Sequence, residues 1–102
     1  VAKLSYKLTR EAKNDLIAMG SYTFRKWGEN KAKEYHYKIQ QQFESLLSNP
    51  EKGRVRYDLG NGCRTIPIAK HIIIYRINGS NIEILRILHQ SMDVENYLED
   101  DS

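Results

Sequence analysis

Apolar positions along this chain follow two different periods. Ala12, Leu16, Met19, Thr23 and Trp27, flanked by Gly20 and Phe24, recur at helical spacing. Thr9 precedes them as a candidate N-cap, Glu11 falls in the first turn, and Gly28 is the natural stop. A second stripe runs through Ala32, Tyr35, Ile39, Phe43, Leu46 and Leu47, with Asn30 as candidate cap and Asn49-Pro50 as terminator. Lys31, Lys38, Gln41 and Gln42 fall off that stripe. Two helices so closely joined must run antiparallel, as a hairpin.

The period then changes to that of strands. "RVRYDL", "CRTIPIA", "HIIIYRI" and "IEILRIL" are separated by the turn formers Gly60-Asn61-Gly62, Ala69-Lys70 and Asn78–Asn81. Short turns require antiparallel neighbours. "LSYKL", Leu4–Leu8, alternates as a short first strand, and Asp93 can cap a last helical turn, "VENYL". The expected architecture is α+β, in the order β-α-α-β-β-β. A helical hairpin packs on a mainly antiparallel sheet, in one domain spanning 1–102 whose residues 99–102 form a frayed acidic tail.

Pairing across the turns predicts the faces of the sheet. A two-residue turn at Ala69-Lys70 sets Ile68 opposite His71, Ile66 opposite Ile73 and Arg64 opposite Tyr75. The next turn sets Ile77 opposite Ile82, Tyr75 opposite Ile84 and Ile73 opposite Arg86. One face then holds Arg64, Ile66, Ile68, His71, Ile73, Tyr75, Ile77, Ile82, Ile84, Arg86 and Leu88, and the other Ile72, Ile74, Arg76, Glu83, Leu85 and Ile87. Both are apolar, yet one hairpin can cover only one. The expectation is an open apolar floor, which marks an interaction surface. Arg76 faces Glu83 and reads as a cross-strand ion pair; Trp27 reads first as a helix-end core anchor.

Charge adds an asymmetry. The chain of 102 residues carries a formal +3, but its last twelve residues hold five acids and no base. A basic body favours an acidic partner, protein or nucleic acid. The single Cys63 excludes an internal disulfide and suits a reducing compartment; no run is long enough to span a membrane, and the reading is cytoplasmic.

Chemistry finds little support. His36, His71 and His89 fall on different elements, and one cysteine cannot complete a zinc set. Nothing in the spacing gives Cys63 a base and an orienting partner, and "GNGC" lies between strands, so it is a turn and no phosphate loop. No cofactor, metal or catalytic residue is expected. Only nuclease chemistry by Arg, Tyr and His remains as an enzymatic option.

Five stretches, "LTREAKNDL", "YTFRKWGENKA", "NPEKGR", "GCRTIPIAKHIIIYR" and "IEILRILHQSMDV", resemble the ParE toxins of the RelE/ParE superfamily, over about Leu8 to Leu98. The resemblance implies a two-layer RelE/ParE-like fold and a non-enzymatic toxin that poisons DNA gyrase. It also implies a ParD-like antitoxin whose C-terminal segment wraps the toxin in a hetero-oligomeric complex, with DNA contacted only through antitoxin or gyrase. The alternative inside the superfamily is a RelE-like ribosome-dependent mRNA endonuclease. Aligned with that branch, this chain keeps Arg64 but has Ile66, Ile72 and Gln90 at its basic positions, while His89 and Tyr97 keep the option open. A third reading is a binding module without toxicity. The expected antitoxin face is Arg64, Ile73, Tyr75, Ile84 and Arg86; the gyrase-contact candidates are Trp27, Arg64, Arg86, His89 and Met92.

Overall fold

The computed structural model describes residues 4–89. It opens with β1 (Ser5–Leu8), followed by α1 (Arg10–Trp27) and α2 (Glu29–Ser48). Strands β2 (Arg54–Val55), β3 (Cys63–Ile68), β4 (His71–Asn78) and β5 (Asn81–His89) follow, with a single 3-10 turn, Tyr57–Leu59, between β2 and β3. The sheet order is β1-β5-β4-β3-β2. Only the β1–β5 pair is parallel, because the hairpin carries the chain across before it re-enters the sheet.

The helix boundaries follow local chemistry. The Thr9 hydroxyl accepts the Ala12 N–H at 3.0 Å and donates to the Leu85 carbonyl at 2.8 Å, so one side chain caps α1 and fastens it to β5. Gly28, at φ 91°, both ends α1 and starts α2: its N–H donates to the Phe24 carbonyl and its own carbonyl accepts from Ala32. Asn30 is therefore not the cap; it lies inside the first turn of α2, because the connection is this one glycine.

"RVRYDL" forms only two residues of strand. Beyond them Arg56 closes on Asp58 through two hydrogen bonds, 2.9 and 2.6 Å, and the backbone curls into the 3-10 turn. Because β2 pairs only with Arg64 and Thr65, Pro67 sits past its end, where the missing N–H costs no sheet hydrogen bond.

The expected register holds from Ile68↔His71 to Arg64↔Tyr75, and from Ile77↔Ile82 to Tyr75↔Ile84. It then breaks. Ile74 pairs with Arg86 and Ile73 with Ile87, which leaves Leu85 as the extra residue of a β-bulge. A two-residue period read straight through this bulge puts every later side chain on the wrong face. Ile87, not Arg86, joins the core.

That core is Ala12 and Met19 from α1, Ile39, Phe43 and Leu46 from α2, and Ile66, Ile73, Tyr75, Ile82, Ile84 and Ile87 from the sheet. Each large aliphatic group buried there contributes about 1.5–3 kcal/mol relative to exposure. The other face is not an open floor: Ile74 and Leu88, outside this cluster, retain 0% and 2% of their surface. The expected last turn after Asp93 lies outside the described residues. Among the described residues no helix is long and apolar enough to cross a membrane.

Candidate functional site

The sequence-expected antitoxin residues divide between two structural anchors. Ile73, Tyr75 and Ile84 keep 0% of their surface and face the helices, so no partner can touch them in this fold. The Tyr75 hydroxyl donates to the Pro50 carbonyl at 2.8 Å and accepts the Gly53 N–H at 2.9 Å. Arg64 reaches the same turn, donating to the Glu51 and Gly53 carbonyls at 3.0 and 2.9 Å. Together they lock the segment that follows α2. Gly53 is required because any Cβ there would run into the Tyr75 ring and hydroxyl. Burial raises the Tyr75 phenol pKa, although the Gly53 hydrogen bond and the Arg64 charge pull it back.

Arg86 belongs to the second anchor. Its guanidinium grips both Asp15 oxygens, at 2.9 and 3.1 Å, and the same carboxylate accepts the Ile87 N–H at 2.9 Å. β1 covers the outer edge of β5 only as far as Ile84. Thr9 and Asp15 then take over its edge groups, from the Ile84 and Leu85 carbonyls to the Ile87 N–H. Arg86, expected on one face with Arg64 and Tyr75, is thus separated from them, because the bulge turns it away toward α1. Arg76 and Glu83 form the expected pair at 2.9 Å, with Asn78 adding a second hydrogen bond, and these bonds hold the Glu83 carboxyl below the usual carboxylate range. Cys63 is buried beside the Leu59 carbonyl; burial raises its thiol pKa against the pull of Arg76, which makes it a poor nucleophile.

Two of the gyrase-contact candidates do come together. Trp27 and His89 line a cavity of about 470 Å³ between the turn end of the hairpin and the β3–β4 turn. Trp27 is no core anchor: 62% of its surface is exposed, because the last turn of α1 carries no buried residue. Around the cavity stand Tyr22, Lys26, Lys31, Lys38 and Lys70, with Glu34 as the one acid among the described lining residues. Glu34 is matched by Lys31 and Lys38, each 3.6 Å away. Lys26 lies 5.5 Å from the Tyr22 ring centre and 5.4 Å from that of Trp27, within cation–π reach of both.

The inner wall of the cavity is a row of rings. His71 faces His89 edge to face across the β4–β5 pair, at 5.3 Å, and Tyr35 meets His71 Nδ1 at 2.7 Å. Burial, helped by the His89 charge and opposed by Asp15, holds the His71 pKa below the ordinary histidine value. Sequence reading missed the lysines. Their signal was the four-residue spacing of Tyr22 with Lys26 and of Lys31 with Tyr35, which places each pair on one helix face. Met92, Gln90 and Tyr97 lie outside the described residues. Among the described residues no three His, Cys, Asp or Glu side chains are grouped to hold a metal.

Comparison with known proteins places this geometry. Residues 6–94 match the family model of the ParE toxin of the type II toxin–antitoxin system parDE. Toxin ParE1 of Caulobacter vibrioides is 34% identical over 93 residues, which is 91% of this chain and 96% of that protein. A chain of the chromosomal ParDE system from P. aeruginosa superposes with a TM-score of 0.75 at 28% identity, covering 87% of this chain and 98% of the other. The RelBE2 toxin–antitoxin complex of Mycobacterium tuberculosis shares the fold more distantly, with a TM-score of 0.53, 21% identity, and coverage of 85% and 98%. The two-layer α+β fold is that of RelE/ParE toxins, and the chain belongs to the ParE toxin family of type II toxin–antitoxin systems.

Proposed function

We propose that this chain acts in the cytoplasm as a poison of DNA gyrase, by binding rather than catalysis, and that a ParD-like antitoxin neutralises it. The family match over residues 6–94 is the observation that carries this reading. The side chains on the strands support it against RNA cleavage. Ile66, at a basic position of the nuclease branch, is buried in the core, and Ile72 is half-buried. Arg64 and Arg86 are already occupied by backbone carbonyls and by Asp15. A phosphate clamp needs charged donors aimed at the ligand, and isoleucine offers none.

With Ile73, Tyr75 and Ile84 in the core, the antitoxin must act on other surface. Arg64 and Arg86 keep part of theirs, though both hold the fold together. Of the gyrase-contact candidates among the described residues, Trp27 presents the most open surface. Supercoiling of relaxed plasmid by purified gyrase tests the proposal. Inhibition, or accumulation of cleaved DNA, is expected. Normal supercoiling together with ribosome-dependent mRNA cleavage would replace it with the endonuclease reading.

A further inference from the structure

The cavity beside Trp27 has a composition that the gyrase reading does not use. Five of its lining side chains are rings, Tyr22, Trp27, Tyr35, His71 and His89, and four are lysines, Lys26, Lys31, Lys38 and Lys70. Among the described lining residues, Ala69 and the methyl of Thr23 are the only small apolar groups, and none is leucine, isoleucine or valine. An amphipathic peptide helix anchors by aliphatic side chains in an aliphatic groove. Rings flanked by ammonium groups suit a different ligand, one with flat aromatic faces and regularly placed negative charge. Single-stranded nucleic acid is that ligand, since every base offers a π-face and every link a phosphate.

The local geometry suits both components. The Trp27 and Tyr22 rings are more than half exposed, so a base can reach them. Lys26 lies over both rings and donates to the Tyr22 hydroxyl at 3.1 Å, which keeps a cation at the ring pair where a base and its phosphate would arrive. Lys70, on the β3–β4 turn, and Lys31 and Lys38, on α2, bring positive charge to the other sides of the cavity. Glu34 does not cancel them, because one carboxylate faces two ammonium groups at 3.6 Å.

We propose that this cavity is a binding site for single-stranded nucleic acid, with a base stacked on Trp27 and the adjoining phosphates among Lys26, Lys31, Lys38 and Lys70. The site shares Trp27 and His89 with the gyrase-contact candidates but rests on its own composition, and it gives the chain a nucleic-acid contact of its own. It departs from the expectation that DNA is reached only through antitoxin or gyrase.

Trp27 is the only tryptophan, so its emission reports directly on stacking. Titration of the full chain with a fluorescein-labelled 12-mer oligothymidylate should raise anisotropy, and unlabelled 12-mer should quench tryptophan emission over the same range. Trp27→Ala should weaken binding about tenfold by loss of one stacking platform, with an unchanged far-UV circular dichroism spectrum. Replacing Lys31 and Lys70 together by alanine should lower the slope of log affinity against log salt by about 1.4, the loss of two phosphate contacts. Binding without quenching, or equal affinity of Trp27→Ala, would overturn the site. Polyglutamate of similar length binding as tightly as the oligonucleotide would assign it to an acidic polypeptide instead. Thymidine monophosphate competing at the same concentration per molecule would reduce it to a free-nucleotide pocket and overturn the strand.

Discussion

The two ends of the helical hairpin obey opposite rules. At the end where α2 terminates, a buried tyrosine and an arginine lock the Pro50–Gly53 turn, and no Cβ fits at Gly53. At the end where α1 turns into α2, one glycine makes the connection and Tyr22, Phe24, Trp27 and Tyr37 stand exposed. The first end spends its aromatic and basic groups on internal contacts. The second presents the same residue types to solvent, where they add little to stability. Similar chemistry therefore has different consequences according to what it faces, and only the exposed end has side chains free to be reorganised by a partner.

Substitutions should separate the ends sharply. Tyr75→Ala empties a fully buried site and leaves the Gly53 N–H without its partner, so a loss of about 3–5 kcal/mol is expected in urea unfolding, read from the midpoint at constant slope. Asp15→Ala should follow at about 3 kcal/mol. It removes the carboxylate that the mostly buried Arg86 guanidinium grips and uncaps the Ile87 N–H at the β5 edge. Native-state hydrogen exchange should then accelerate first at Ile87, which distinguishes edge opening from general loosening.

A smaller effect comes from pH. Burial holds His71 neutral with a pKa below the ordinary value of 6.5, so the unfolded chain takes up the proton first as pH falls. Its contribution is full above pH 6.5 and is lost as pH falls through the lowered folded value. Melting temperature should drop between pH 7.5 and 5.5, and the drop should be shallower in His71→Gln. Smallest of all, Trp27→Ala should change stability by no more than about 0.5 kcal/mol, since its ring is exposed. A larger loss would mean that the turn end is part of the structural frame after all.

Much of this contrast is legible in the sequence, and the rest is not, for identifiable reasons. Thr9, Gly28 and Asn49-Pro50 mark helix ends because capping and chain direction are local properties, and Ala69-Lys70 sets its hairpin register for the same reason. The bulge at Leu85 left no such mark. It arises where β5 loses β1 and gains Thr9 and Asp15, a contact between residues more than seventy positions apart. That single irregularity sent Arg86 to the wrong neighbour in the sequence reading. The site suffered twice. Tyr75 and Ile84 looked like an open face because faces, unlike elements, depend on which side the hairpin lands. Trp27 looked like core because its helical spacing continues past the point where the sheet ends. Helical period identifies a stripe but does not show how far the surface beneath it extends.

The most direct measurement is gyrase supercoiling in the presence of the wild-type chain and of Trp27→Ala, at matched concentrations of folded protein. The expected result is inhibition by the wild type and at least a tenfold higher requirement for Trp27→Ala, with equal unfolding midpoints. Supercoiling untouched by the wild type would contradict the proposed target. Equal inhibition by both proteins would contradict the assignment of recognition to the exposed end of the hairpin.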